Sequence, residues 1–100
     1  MNYKVRFPNN SIQKRLEKVL SKIHKSLQSE IIEAIEHLAN DPRPFGRTPF
    51  KKLRPPVQFY QLTAQYRIRI ENYRVLYDID DKKKIVWVLA LRKRSETTYK

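Results

Sequence analysis

The sequence predicts an α+β domain, with a helical N-terminal half followed by a strand-rich C-terminal half. Two observations carry this. Apolar residues recur at helical spacing from Ile12 to Leu38. From Tyr66 onward the spacing changes to strict alternation, and then to a continuous apolar run from Ile85 to Leu91. A chain of 100 residues is enough for one modest core and too short for two, so residues 1–100 are expected to form a single domain.

The N-terminus alternates Tyr3, Val5 and Phe7 with Lys4 and Arg6, a short strand ended by Pro8. Asn9, Asn10 or Ser11 supplies a cap for the helix that follows. The helical stripe then runs through Ile12, Leu16, Val19, Leu20, Ile23, Leu27, Ile31, Ala34, Ile35 and Leu38. Taken literally this is one helix of about thirty residues, long for so small a domain. A break is expected between Ser21 and Ser26, although neither Gly nor Pro marks it. Asn40-Asp41-Pro42 stops the helix. Pro42 to Pro56 reads as a loop that carries five prolines, the single glycine Gly46, and the cations Arg43, Arg47, Lys51, Lys52 and Arg54. Val57 to Leu62 is a further extended segment.

The next stretch, Tyr66-Arg-Ile-Arg-Ile-Glu-Asn-Tyr-Arg-Val-Leu-Tyr77, reads as a hairpin turning at Glu71-Asn72. A two-residue loop pairs Ile70 with Tyr73, Ile68 with Val75 and Tyr66 with Tyr77, giving one apolar face. The other face carries Arg67 and sets Arg69 opposite Arg74. Like charges directly opposed on a sheet are unfavourable, which points to an anion that receives them. Asp78 to Lys84 is a polar turn. The apolar run Ile85–Leu91 is expected to be a strand covered on both faces, at the centre of the sheet, ending in the cationic cluster Arg92-Lys93-Arg94.

Composition narrows the function classes. Lys and Arg number 22 against 10 Asp and Glu, a formal net charge of +12 that favours nucleic acid, an anionic membrane surface or an acidic protein as partner. There are no cysteines, so disulfide and Cys-zinc frameworks are excluded and a reducing compartment is suited. No apolar run approaches the ~20 residues of a membrane span, and the alternating N-terminus lacks a signal-peptide block. A soluble, cytoplasmic protein is expected. His24 and His37 lie thirteen residues apart on the helical segment and read as solvated helix positions, so no metal or other cofactor is expected. One glycine cannot make a phosphate loop, and no Ser-His-Asp or Cys-His set assembles. An arginine-rich surface with Tyr and Glu nearby remains. Such a surface binds nucleic acid. It can also stabilise a phosphorane-like transition state in RNA, whose own 2′-hydroxyl is the nucleophile, provided one group accepts the 2′ proton and another protonates the leaving 5′ oxygen.

The segment Tyr66 to Asp80, the strand after it, and Leu91-Arg-Lys-Arg-Ser-Glu-Thr-Thr-Tyr99 resemble the RelE/ParE toxin superfamily of bacterial type II toxin–antitoxin systems. Ile31 to Pro44 resembles that family's second helix and its exit. The resemblance implies a small, antiparallel-rich twisted sheet of about four strands packed against two N-terminal helices, the microbial-ribonuclease-like RelE fold. RelE-like members cleave messenger RNA on the ribosome without a metal, and ParE-like members poison DNA gyrase; the fold does not separate the two. By position, Arg74 and Arg92 are the residues expected to hold the scissile phosphate. Arg67 and Arg69 fall where RelE has lysines, and an arginine is a poor base. The family's C-terminal tyrosine matches Thr98 by strict count, with Tyr99 one residue late, and Lys93 stands where some relatives have His. Glu96 and Tyr99 are thus the titratable candidates in a catalytic set of Arg67, Arg69, Arg74, Arg92, Glu96 and Tyr99. Lys51, Lys52, Arg54, Lys93 and Arg94 are expected to contact nucleic acid. The implied partners are messenger RNA, the ribosome and an acidic antitoxin, the last in a toxin–antitoxin hetero-oligomer, with no membrane involved. The class opposed to an enzyme is a non-catalytic toxin or binder, either a gyrase inhibitor or a basic domain that only engages its antitoxin or RNA.

Overall fold

A computed structural model describes residues 2–44, 49–59 and 61–94. In chain order the elements are β1 (Lys4–Arg6), α1 (Asn10–Ser21), α2 (Lys25–His37), β2 (Phe50–Phe59), β3 (Leu62–Ile70), β4 (Tyr73–Asp80) and β5 (Ile85–Lys93). The strands form one five-stranded sheet in the order β1-β5-β4-β3-β2, parallel between β1 and β5 and antiparallel elsewhere. The α+β class and the two N-terminal helices are as expected.

Asn9 is the cap of α1, its side chain accepting from the Ile12 amide at 2.9 Å. The helical run does break, at Lys22–His24. Ile23 is buried inside that corner, and the Gln28 side chain donates to the Leu20 carbonyl at 2.6 Å, satisfying an end group of α1. Burial drives the break. Folding back lets Leu16, Ile23, Ile31, Ile35 and Leu38 share one core with Ile68, Val75, Tyr77, Val86, Val88 and Leu91 of the sheet. Tyr77, fully buried, donates its hydroxyl to the Pro42 carbonyl at 2.7 Å and ties the exit of α2 to the sheet.

The hairpin register is as the alternation demands: Ile70↔Tyr73, Arg69↔Arg74, Ile68↔Val75 and Tyr66↔Tyr77. Glu71 takes the left-handed backbone at the turn, with φ of 55°. The sheet gains a fifth strand because residues 50–56 are not a loop. β2 runs through Pro55 and Pro56, with its register broken between Lys52 and Val57. Prolines are tolerated there because β2 is an edge strand and the ladder is already interrupted.

β5 is apolar on both faces, yet it lies second from the edge, and β4 is the central strand. A bulge explains its continuous apolar run. Leu76 pairs with Ala90 and Tyr77 with Val88, leaving Leu89 as the extra residue. Before the bulge Val86 and Val88 face the helices; after it Leu91 does. The face opposite the helices carries a smaller cluster of Ala64, Leu76 and Leu89, packed against Ile12, Leu53, Phe59, Leu62 and Trp87. The β2–β3 tip therefore curls over β4 and β5 and reaches α1.

Candidate nucleic-acid interface

The same bulge builds the site. Side chains alternate with period two, so one extra residue in β5 exchanges the faces of everything after it. Arg92 is thereby brought to the face opposite the helices, in register with Arg74. Arg74 is in register with Arg69 on its other side. Arg69, Arg74 and Arg92 thus form one row across β3, β4 and β5. Arg67 belongs to the next row, between Lys51 of β2 and Leu76 of β4. Five cations occupy two adjacent rows of one open sheet face.

Their environments differ. Arg67, Arg69 and Arg74 are partly buried, whereas Arg92 is exposed. The Arg92 guanidinium lies over the Phe59 ring, 4.8 Å from its centroid, so the curled β2–β3 tip holds that side chain at the end of the row. Phe59 was not legible as a site residue; the only signal was an aromatic at the end of an extended segment. Opposed cations in neighbouring registers raise the positive potential of this face.

Other expected positions fall elsewhere. Lys52 and Lys93 pair with Tyr66 and Tyr73, which pack on the helix-side core, so alternation puts them on the opposite face from the arginine row. Lys51, Lys52 and Arg54 lie on a strand, not on a loop. Arg54 sits exposed in the irregular part of β2, between the two paired stretches of its register. Arg94 follows β5, its amide donating to the Asn72 carbonyl at 2.6 Å. Glu96 and Tyr99, like Arg47, lie outside the described residues.

Arg43 has a structural task. Its guanidinium meets both Asp81 oxygens, at 3.1 and 3.3 Å, and lies over the Tyr66 ring at 5.3 Å from the centroid. Tyr3 donates to the same Asp81 carboxylate at 2.6 Å. The Arg43 hydrogen bond, helped by that from Tyr3, holds the Asp81 carboxyl below the usual carboxylate range. This clamp fastens β1 and the exit of α2 to the β4–β5 turn.

His37 is the second residue that sequence reasoning missed. It lines a cavity of about 910 Å³ together with Glu30, Glu33, Arg69, Glu71 and Arg94. Helical periodicity gives only its place on α2; that the β3–β4 turn comes beside it is a tertiary fact. Among the described residues no group of three or more His, Asp or Glu could hold a metal ion, and no helix is long and apolar enough to cross a membrane.

Comparison with known proteins agrees with this architecture. No curated protein sequence matches the chain. Among solved structures it is similar to the archaeal RelE–RelB complex of Pyrococcus horikoshii, with 27% identity and a TM-score of 0.73, over 97% of this chain and 100% of that one. It is also similar to the RelBE2 toxin–antitoxin complex of Mycobacterium tuberculosis (24% identity, TM-score 0.59, 94% and 100% covered). The isolated RelE toxin of E. coli shares the fold at 17% identity, with a TM-score of 0.60 and 96% and 88% covered. Residues 8–98 match the family described as the ParE toxin of the type II toxin–antitoxin system parDE. With nearly the whole chain matched in sequence and the sheet and both helices matched in space, the protein belongs to the ParE toxin family, within the RelE/ParE superfamily of type II toxin–antitoxin systems.

Proposed function

We propose that the protein is a cytoplasmic toxin that cleaves messenger RNA on the ribosome, with the RNA 2′-hydroxyl as nucleophile, and that an acidic antitoxin neutralises it. The observation that carries this reading is the row Arg69–Arg74–Arg92 in adjacent register on one open face. A phosphodiester lying across the row meets guanidinium groups from three strands, rigidly held before the substrate arrives. In the reaction the 2′ oxygen attacks the adjacent phosphorus and the bond from phosphorus to the 5′ oxygen breaks. The 2′ proton goes to a base, and the leaving 5′ oxygen takes a proton from an acid. Arg74 and Arg92 stabilise the extra negative charge of the phosphorane, with Arg69 and Arg67 supporting the strand on either side. None of these is a base. Glu96 and Tyr99 are the proposed proton-transfer groups, and His37, which shares a cavity with Arg69, is a third candidate. Because the arginine row supplies charge more than proton transfer, the ribosome contributes by forcing the messenger into an in-line geometry, and free RNA is a poor substrate.

The antitoxin partner is supported by the relatives at 27% and 24% identity, both solved as toxin–antitoxin complexes. A chain of charge +12 suits an acidic, amphipathic partner segment that folds on binding.

The test is the chemistry of the products. Ribosome-bound messenger should give an upstream 2′,3′-cyclic phosphate, or the 3′-phosphate from its hydrolysis, and a downstream 5′-hydroxyl. Cutting should survive chelators and fall with salt. A messenger with 2′-deoxy at the scissile nucleotide that is cut efficiently, or products with 3′-hydroxyl and 5′-phosphate ends, would sink the mechanism. A second reading is favoured by the parDE description of the matching family: a non-catalytic toxin that inhibits DNA gyrase. Loss of supercoiling by gyrase, with ribosome-bound messenger left intact, would establish that reading instead.

A further inference from the structure

The open face has a second feature that the arginine row does not use. A cavity of about 280 Å³ lies at the other end of β4 and β5, lined by Pro8, Leu62, Thr63, Asp78, Trp87 and Leu89. Asp78 and Trp87 stand directly opposite each other across the β4–β5 pair. The walls are otherwise almost wholly apolar, so the carboxylate is the one charged group the cavity offers. Gln65 and the Ile79 backbone hydrogen-bond Asp78. Its Oδ1 is nevertheless buried with no hydrogen-bond partner, and Asp78 forms no ion pair among the described residues. Burial pushes this carboxyl above the usual carboxylate range. On a protein with 22 basic residues, one oxygen of this carboxylate is thus kept in an apolar recess with no partner among the described residues.

We propose that this cavity is a nucleobase subsite, in which the base lies against Trp87 and Leu62 and the Asp78 carboxylate accepts from its exocyclic amino group. The inference rests on the RNA reading above and adds a base preference to it. Arg74, Leu76 and Asp78 follow one another on the same face of β4, about 13 Å from first to last at the strand rise. A single strand whose phosphate lies on the row can therefore reach the cavity within a few nucleotides. A base brings what the recess lacks, a flat apolar body and a neutral N–H donor. A lysine or arginine from a peptide would also suit Asp78, but the five cations of the neighbouring rows oppose its approach. Cytosine, adenine and guanine carry the amino group. Uracil does not, and it presents carbonyl oxygens to the carboxylate instead.

Trp87 is the only tryptophan and lines this cavity, so its emission reports on occupation of the cavity. The protein would be titrated at low salt with 2′-O-methyl hexamers of cytidine, adenosine or uridine, which a 2′-hydroxyl mechanism cannot cut. A 5′-fluorescein on each gives total binding by anisotropy in parallel. The cytidine and adenosine hexamers should quench Trp87, with the uridine hexamer roughly five-fold weaker or more. Asp78→Asn, which keeps the shape and removes the charge, should bring the three within roughly two-fold of one another. Anisotropy that reports binding while Trp87 emission stays constant would overturn the subsite and leave the RNA reading standing. The subsite is equally overturned if Asp78→Asn retains full discrimination, or if Trp87 responds only to an antitoxin. No anisotropy change with any hexamer would overturn the subsite as well, while the cleavage reading stands or falls separately on the products from ribosome-bound messenger.

Discussion

Replacing Arg92 with Ala separates stability from function at one residue. Two terms change in the folded state. The guanidinium leaves the Phe59 ring, 4.8 Å away, which costs about 0.5–1 kcal/mol at an exposed site. It also leaves its position opposite Arg74, which relieves about 0.2–1 kcal/mol of like-charge repulsion. The two largely offset each other, so the urea midpoint should move by no more than about 0.8 M, taking ~1–2 kcal/mol/M for the slope. Added phosphate should stabilise the wild type by up to about 2.7 kcal/mol at a hundred-fold excess over its dissociation constant. It should stabilise the variant much less. Cleavage of ribosome-bound messenger should fall by ~100-fold, about 2.7 kcal/mol of transition-state stabilisation. Phe59→Leu, which removes the ring and leaves the repulsion, should destabilise by about 0.5–1 kcal/mol and lower cleavage by a smaller factor. Arg92→Ala that unfolds the protein, or a folded variant with wild-type cleavage and an undiminished response to phosphate, would refute the assignment.

Three further outcomes follow from the geometry. Tyr77→Phe leaves the Pro42 carbonyl without its 2.7 Å donor and should cost about 1–3 kcal/mol in urea unfolding, with no effect on anion binding; a change below ~0.3 kcal/mol would contradict the bond. Ile31→Ala, at a fully buried position, should cost about 2–5 kcal/mol by the same measurement. The two aspartates of the β4 end should act in opposite directions on stability against pH. The Asp81 carboxyl is lowered by folding, so its contribution is complete above the unfolded carboxylate range and is lost as pH falls through the folded value; Asp81→Asn should flatten that acid limb. The Asp78 carboxyl is raised, so its contribution holds below the unfolded range and is lost as pH rises through the folded value. Asp78→Asn should therefore gain stability relative to wild type at neutral pH, and a loss there would reverse the sign argument.

Much of the site was legible because it depends on local chemistry. Alternation from Tyr66 to Tyr77 is enough to put Ile68, Ile70, Val75 and Tyr77 on one face and Arg67, Arg69 and Arg74 on the other, since a one-residue slip would expose the whole apolar set. The turn at Glu71-Asn72 and the Asn9 cap are equally local. So is the family likeness, which lies in short segments whose residue types reflect these same constraints.

What only the tertiary structure decided has a common cause, the need to bury apolar surface on both sides of a small sheet. The helical run is long enough to predict a break between Ser21 and Ser26, where it falls, but no residue type marks the point, because burial of Ile23 breaks it, not a glycine or proline. A string of basic and proline residues reads as a loop until an edge position accepts it as β2. Arg43 reads as one more cation in that loop until Asp81, distant in sequence, arrives beside it. Above all, the face to which Arg92 points is undetermined by a run of seven apolar residues, since a strand covered on both sides has no alternation to read. The extra residue at Leu89 settles it, fitting Leu89 into the outer cluster and Leu91 into the inner one. The arginine row is completed by that packing choice.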